Sequence, residues 1–173
     1  LQADVDANAG NDPRGLFYLG NTLLEAKEHD KAIEVYNKYI EIQKNENSEL
    51  YQCLMFKAMA ENASGKKTDA RNSLYRAMSV DPTRRDAIMM LADLYYEVGQ
   101  LENALHYYKL VAGIKIKPSR MFQSGRACTW LPYQNISRVY NDIGNKKLAI
   151  SSLRKAMRYH NHEGWERQIR EWE

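Results

Sequence analysis

Residues 92–108 read Ala92-Asp93-Leu94-Tyr95-Tyr96-Glu97-Val98-Gly99-Gln100-Leu101-Glu102-Asn103-Ala104-Leu105-His106-Tyr107-Tyr108. The small residue Ala92 stands twelve positions before Ala104, Tyr95 nine before it, Gly99 five before it and Tyr108 four after it. Apolar residues at helical spacing on both sides of one glycine predict two amphipathic helices joined by a tight turn. The spacing recurs along the chain. Ala32, Ala70, Ala104 and Ala149 are each followed four residues later by Tyr36, Leu74, Tyr108 and Leu153, and seven later by Tyr39, Ala77, Val111 and Ala156. Twelve before them stand Gly20, Ala58, Ala92 and Ser137, and nine before them Leu23, Glu61, Tyr95 and Tyr140. The last three copies carry a turn glycine, Gly65, Gly99 or Gly144, where the first has Lys27. In such a unit the small residues let paired helices approach, and the large ones fill holes between neighbouring pairs.

The anchors lie 38, 34 and 45 residues apart, so the unit is 34 residues with about four and eleven inserted in the outer spacings. Helices are predicted over 13–27 and 31–44, 48–64 and 67–79, 84–98 and 101–114, and 130–143 and 147–159. The domain layout that follows is a tail of an upstream helix or linker at 1–12, then four repeats over 13–163 (about 13–46, 51–84, 85–118 and 130–163). Residues 119–129, rich in breakers, are expected to form an inserted loop. Trp165, Ile169 and Trp172 recur at helical spacing and predict a capping helix over 164–173 that covers the last pair. In the second copy Lys57 and Glu61 occupy columns that are apolar elsewhere, which puts the fit of its first helix in question.

The rest of the composition agrees with a helical solenoid. Nine glycines and four prolines in 173 residues are too few for a sandwich or barrel with a turn every few residues, and 44% hydrophobic residues supply a core. No apolar run of eighteen residues exists, so no membrane span is expected, and two cysteines, Cys53 and Cys128, make no disulfide framework; a cytoplasmic setting is the default. The net charge of +3 hides an asymmetry: residues 1–50 carry ten acids against five bases, and residues 114–173 five acids against twelve bases. Along an elongated molecule that makes a dipole able to orient partners.

The 34-residue pattern resembles the tetratricopeptide repeat over about residues 13–163, which implies an all-α fold, a right-handed α-α superhelix of about four helix pairs plus a short C-terminal capping helix. Two strings resemble something narrower. Asp12-Pro13-Arg14-Gly15-Leu16-Phe17-Tyr18-Leu19-Gly20, running on to Lys31-Ala32-Ile33 and Tyr36, looks like the opening of the repeat region that follows the catalytic domain of family 2 glycosyltransferases. Thr129-Trp130-Leu131-Pro132-Tyr133 is similar to a Trp-x-Pro-Tyr element of that region. The resemblance implies a parent polypeptide that transfers sugar from a nucleotide-sugar, with its metal-binding Asp-x-Asp on an upstream α/β domain.

These residues themselves are not expected to be an enzyme or to hold a cofactor or metal. Asp4-Val5-Asp6 has the letters of the metal motif without a strand to carry it. His160 and His162 are two apart, a spacing that diverges on a helix, and only Glu163 stands near to complete a ligand set. Cys53 reads as a packed residue, and Gly99 and Gly144 as turn glycines. The tyrosines occupy repeat columns and read as interhelical contacts. Lys147, Arg154 and Arg158 share one face of the last repeat helix, read as hydrated, so nucleic acid is not the expected partner.

Function is instead expected on the concave face, lined by the first helix of each pair. Phasing assigns to it Arg14, Phe17, Asn21 and Leu24, then Gln52, Met55 and Met59, then Asp86, Met89, Asp93 and Tyr96, then Leu131, Gln134 and Arg138. Phe17, Met55, Met59 and Met89 are expected to form an exposed apolar stripe, adaptable to a peptide or helix. The expected partner is a protein or peptide, with the chain's own upstream catalytic domain and a second copy as candidates. The occupant of the groove could also be residues 115–129. A two-carboxylate clamp for chaperone tails is not matched, since Phe17 stands where a Lys is needed.

Overall fold

In a computed structural model of the chain, residues 12–43, 45–114 and 129–173 are described. They contain nine α-helices and no strand. The helices are α1 (Pro13–Glu25), α2 (His29–Ile42), α3 (Ser48–Ala63), α4 (Lys67–Val80), α5 (Asp86–Glu97), α6 (Leu101–Gly113), α7 (Leu131–Asp142), α8 (Lys146–Met157) and α9 (Glu163–Trp172). Each falls within two or three residues of its expected span. Residues 1–11 and 115–128, with the expected upstream tail, most of the inserted loop, Asp4, Asp6 and Cys128, lie outside the described residues.

Four helix pairs, α1/α2, α3/α4, α5/α6 and α7/α8, are each joined by three residues, and the middle one has a left-handed backbone: Lys27 (φ 61°), Gly65 (77°), Gly99 (74°) and Gly144 (79°). Two hydrogen bonds close each turn in the same way. Gly99 N–H donates to the Tyr96 carbonyl at 3.0 Å and Gln100 N–H to that of Tyr95 at 2.9 Å, and Lys27 and Glu28 repeat this on Leu24 and Leu23 at 3.0 and 2.9 Å. This is the Schellman ending, which satisfies the last helical carbonyls and requires a positive φ. Lys27 takes that conformation without glycine's freedom. Lys27→Gly is therefore expected to stabilise the chain by about 1 kcal/mol, read as a higher urea midpoint; an unchanged or lower midpoint would mean the lysine is held there by contacts.

The chain divides into two compact units, residues 1–82 and 83–173. In the first, the anchors Ala32 and Ala70 and their partners Tyr36, Tyr39, Leu74 and Ala77 are fully buried. Asp12 caps α1, its carboxylate accepting from the backbone N–H of Arg14 at 3.2 Å and Gly15 at 3.1 Å. Gly20 lies against the Tyr36 ring: a Cβ there would stand 2.4 Å from Tyr36 Cε1. The α3/α4 pair contains the departure from the repeat. Lys57 Nζ donates to Glu61 Oε1 at 2.5 Å and Ser73 Oγ at 3.0 Å, and Ser73 Oγ donates to Glu61 Oε2 at 2.7 Å. The two charged side chains that break the apolar columns thus neutralise each other in the interior, with exposures of 14% and 3%.

In the second unit Ala104, Tyr108, Val111, Ala149, Leu153 and Ala156 are buried in the equivalent columns. Ser137 fills its small-residue position with a hydroxyl that donates to the Ala149 carbonyl at 2.7 Å. Helix α9 lays Trp165 and Ile169 on Leu153 and Ala156, with Trp130, Tyr133 and Trp172 around them. Trp130 stands 5.4 Å from Trp165 between ring centroids, and Tyr133 stacks on Tyr159 at 5.8 Å. The Trp-x-Pro-Tyr string therefore starts α7 and packs the end of the unit, with Pro132 buried.

Candidate functional site

In the first unit the expected groove residues divide by depth. Arg14 is exposed, and Leu24, Gln52 and Met55 are half-buried. Met59 is 44% exposed. Phe17 is a correction: it is 7% exposed, its ring against Tyr39 and Phe56 at 5.9 and 6.1 Å, so it belongs to the core between α1, α2 and α3. Asn21 is engaged by its own repeat, its Oδ1 accepting from the Tyr36 hydroxyl at 2.9 Å.

Met89 in the second unit is likewise buried, 6% exposed, with Asn135 Nδ2 3.8 Å from its sulfur. The expected exposed stripe of Phe17, Met55, Met59 and Met89 thus loses two members to the core. Asp86 pairs with Arg84 at 3.2 Å, and Leu131 and Gln134 are half-buried. Asp93, Tyr96 and Arg138 are brought together. Asp93 Oδ1 accepts from the Tyr108 hydroxyl at 2.5 Å and from Asn135 Nδ2 at 3.5 Å. The Arg138 guanidinium lies 3.9 Å above the centroid of the Tyr96 ring and donates to the Tyr108 oxygen at 3.4 Å. The Tyr96 hydroxyl donates to Asp142 at 2.5 Å. This network ties α5 to α6 and α7 and holds Arg138 in one orientation.

Burial raises the Asp93 carboxyl above its ordinary range, against the Tyr108 hydrogen bond and the Arg138 charge, which lower it; Glu97 adds to the rise. Burial and the Asp93 charge push the Tyr108 phenol up, so it remains a donor. A carboxyl with a raised folded pKa binds its proton more tightly folded than unfolded. Its contribution to stability therefore declines as pH rises from the unfolded value of 3.8 through the raised folded value. Asp93→Asn, whose amide oxygen still accepts from Tyr108, is expected to remove that decline and raise the urea midpoint at pH 7. A variant less stable at pH 7 than the parent would show that the charge, through Arg138, outweighs its desolvation.

Beside this network a cleft of about 160 Å³ lies among α7, α8 and α9, lined by Gln134, Asn135, Ser137, Arg138, Asn141, Leu153, Gln168 and Trp172. Amide and guanidinium groups dominate its wall, groups able to bond a polypeptide backbone. Phasing assigned Gln134 and Arg138 to the concave face and singled out neither Asn141, Gln168 and Trp172, which line this cleft with them, nor the Tyr108 hydroxyl beside Arg138. Among the other candidates, His160 and His162 lie in the turn between α8 and α9, not on a helix, with ring centroids 6.1 Å apart, His160 stacked on Trp130 and His162 tilted against Trp165. Among the described residues no group of three or more His, Cys, Asp or Glu side chains is placed to hold a metal ion. Cys53 is buried, which pushes its thiol up and away from thiolate chemistry. No helix among the described residues is long and apolar enough to cross a membrane.

Helix pairs closed by a repeated turn define an all-α repeat protein. Family models described as tetratricopeptide repeat match residues 2–47, and residues 86–115 and 132–159, and the chain is a tetratricopeptide-repeat protein. Residues 48–85, with Lys57 and Glu61, lie outside those matches. The crystal structure of MamA is similar at a TM-score of 0.75 and 21% identity, over 94% of this chain and 86% of that one. The C-terminal part of a TPR repeat-containing protein from Cytophaga hutchinsonii is similar at 0.73 and 16%, over 91% and 57%. Pseudomonas aeruginosa pilF is similar at 0.66 and 15%, over 96% and 69%. At these identities the likeness is one of fold. A search of the curated proteins finds no significant match.

Proposed function

We propose that this chain is a noncatalytic protein-interaction scaffold that takes a segment of a partner polypeptide on the second unit, with the α7–α9 cleft as a subsite. The observation that carries this reading is the fixed Arg138 at the rim of an amide-lined cleft. Orienting the side chain in advance lowers the ordering cost of binding. The test is a phage-displayed library of extended peptides selected on the 173-residue chain, with enriched peptides measured by calorimetry. Arg138→Ala and Asn141→Ala are expected to weaken those peptides about tenfold, or about 1.4 kcal/mol, with the helical signal unchanged. Failure to enrich any peptide, or equal binding to both variants, would overturn the cleft as the subsite.

A place beside a family 2 glycosyltransferase domain, where the module docks on that domain, self-associates or presents the acceptor, rests on the two strings quoted above. Asp12, Pro13, Phe17, Gly20 and Trp130 all have capping or core roles in this fold, and a free-standing adaptor would use them equally well. The coding sequence upstream of Leu1 separates the two: an α/β domain with a strand-terminal Asp-x-Asp supports the first, and a start codon close by supports the second.

A further inference from the structure

Helix α8 carries a second surface, independent of the cleft above. On one side a depression of about 390 Å³ among α6, α7 and α8 is lined by the buried Ile136 and the exposed Leu148, with Lys109 and Lys155 beside them. On the other a depression of about 400 Å³ is bordered by Lys147, Arg154, Lys155 and Arg158, with Ile150 between them. The two share Ser151 and Lys155, so α8 forms a ridge with a cationic trough on each side.

Four features say what fits. Lys147, Lys155 and Arg158 form no ion pair among the described residues, and the second depression sets four cations against one lining acid, Glu173, so the potential there is positive. Arg154 already holds a carboxylate, the side chain of Glu173. The neighbouring rings are engaged: Lys109 lies over Tyr140 at 5.2 Å, and Tyr133 and Tyr159 stack on each other, which leaves little for bases to stack on. Of the lining aliphatic side chains Ile136 is buried and Ile150 half-buried, and Leu148 alone is exposed, at 41%, a smaller apolar face than a membrane-binding helix presents.

We propose that the α8 ridge is a docking surface for an acidic amphipathic segment of a partner protein, carboxylates on Lys147, Lys155 and Arg158 and apolar side chains in the trough beside Leu148. Recognition is electrostatic first, so binding is fast and weakens with salt. The experiment uses the 173-residue chain and three fluorescent probes at 50 mM NaCl: a 20-residue Glu/Leu peptide designed as an amphipathic helix, phosphatidylserine-containing vesicles, and a 20-nucleotide single-stranded DNA. A fourth probe, the same peptide scrambled, separates shape from charge. The amphipathic peptide is expected to bind most tightly, at least about fivefold better than its scrambled form, and to lose at least about tenfold in K155E/R158E. Arg138→Ala is expected to leave it unchanged, which keeps this test separate from that of the α7–α9 cleft. If the charge-reversed chain loses helicity, Lys155→Gln with Arg158→Gln serves in its place. Absence of peptide binding, equal binding by the substituted chain, equal binding of the scrambled peptide, or tighter binding to vesicles or DNA overturns the proposal.

Discussion

Gly20→Ala is expected to destabilise the first unit by about 1–3 kcal/mol, although alanine is the better helix former by about 1 kcal/mol. The new Cβ would stand 2.4, 2.7 and 2.9 Å from three atoms of the Tyr36 ring. That ring has no room to yield: Tyr36 is fully buried, its hydroxyl is held by Asn21 at 2.9 Å, and its carbonyl meets the Cys53 thiol of α3 at 3.9 Å. Relief must therefore come from moving α2 away from α1. The third pair shows the spacing that such a move would approach, since Ala92 and Tyr108 coexist there, both fully buried. The internal control is Gly113→Ala at the end of α6, where nothing lies within 4 Å of a Cβ; it is expected to leave stability unchanged or raise it by up to about 1 kcal/mol. Urea unfolding followed by circular dichroism measures both. Gly20→Ala combined with Tyr36→Leu, which copies the Ala58/Leu74 combination of the second pair, should recover part of the loss. A Gly20→Ala chain as stable as its parent would show that the first pair already has the looser spacing.

Most of the helix positions were legible because a 34-residue unit repeats four times, so every column is read several times over. Even the irregular turn residue was visible: Lys27 stands in a glycine column, and the structure gives it the glycine's backbone. The groove was read less well, for a geometric reason. Helical phasing places a residue to within one position, and one position rotates a side chain by roughly 100°. Phe17 and Met89 lie at that margin, where the neighbouring elements decide exposure: Phe56 of α3 covers the first, and Asn135 of α7 adjoins the second. A finer signal was present and unread. Each tyrosine four after an anchor bonds the polar residue fifteen before it, Tyr36 to Asn21 and Tyr108 to Asp93, whereas the pairs with Leu74 and Leu153 have Met59 and Arg138 at that place. Hydroxyl and accepting side-chain oxygen vary together within this one chain, since neither Met59 nor Arg138 offers one, which marks those tyrosines as more than apolar filling. The ring contacts of His160 and His162 with Trp130 and Trp165 had no such signal, because a turn carries no period.

The largest effect is expected from removing one half of the buried pair in α3. Lys57→Met leaves the Glu61 carboxylate, 3% exposed, with the Ser73 hydroxyl as its one remaining partner in that network. An uncompensated charge at such depth costs about 3–5 kcal/mol, a large fraction of the stability of a domain this size. The wall of a cleft of about 310 Å³ that includes Asn37 and Asn72 also includes Lys57 and Glu61, and hydration through it places the expected loss at the lower end of that range. The pair itself is not expected to be a strong net stabiliser, because both charges were taken from water to make it. The other repeats say what belongs there: Leu19, Leu91 and Ile136 replace Lys57, and Leu23, Tyr95 and Tyr140 replace Glu61. Lys57→Leu with Glu61→Leu and Ser73→Ala should accordingly match the parent to within about 1 kcal/mol or exceed it, while each single charge deletion is severe. A thermodynamic cycle from urea midpoints separates the two contributions. If Lys57→Met costs less than about 1 kcal/mol, water through the cleft satisfies Glu61 and the pair behaves as a surface ion pair. If the triple variant is the least stable of the set, the charges hold α3 in register with α4, and this repeat depends on a polar contact where its neighbours depend on apolar ones.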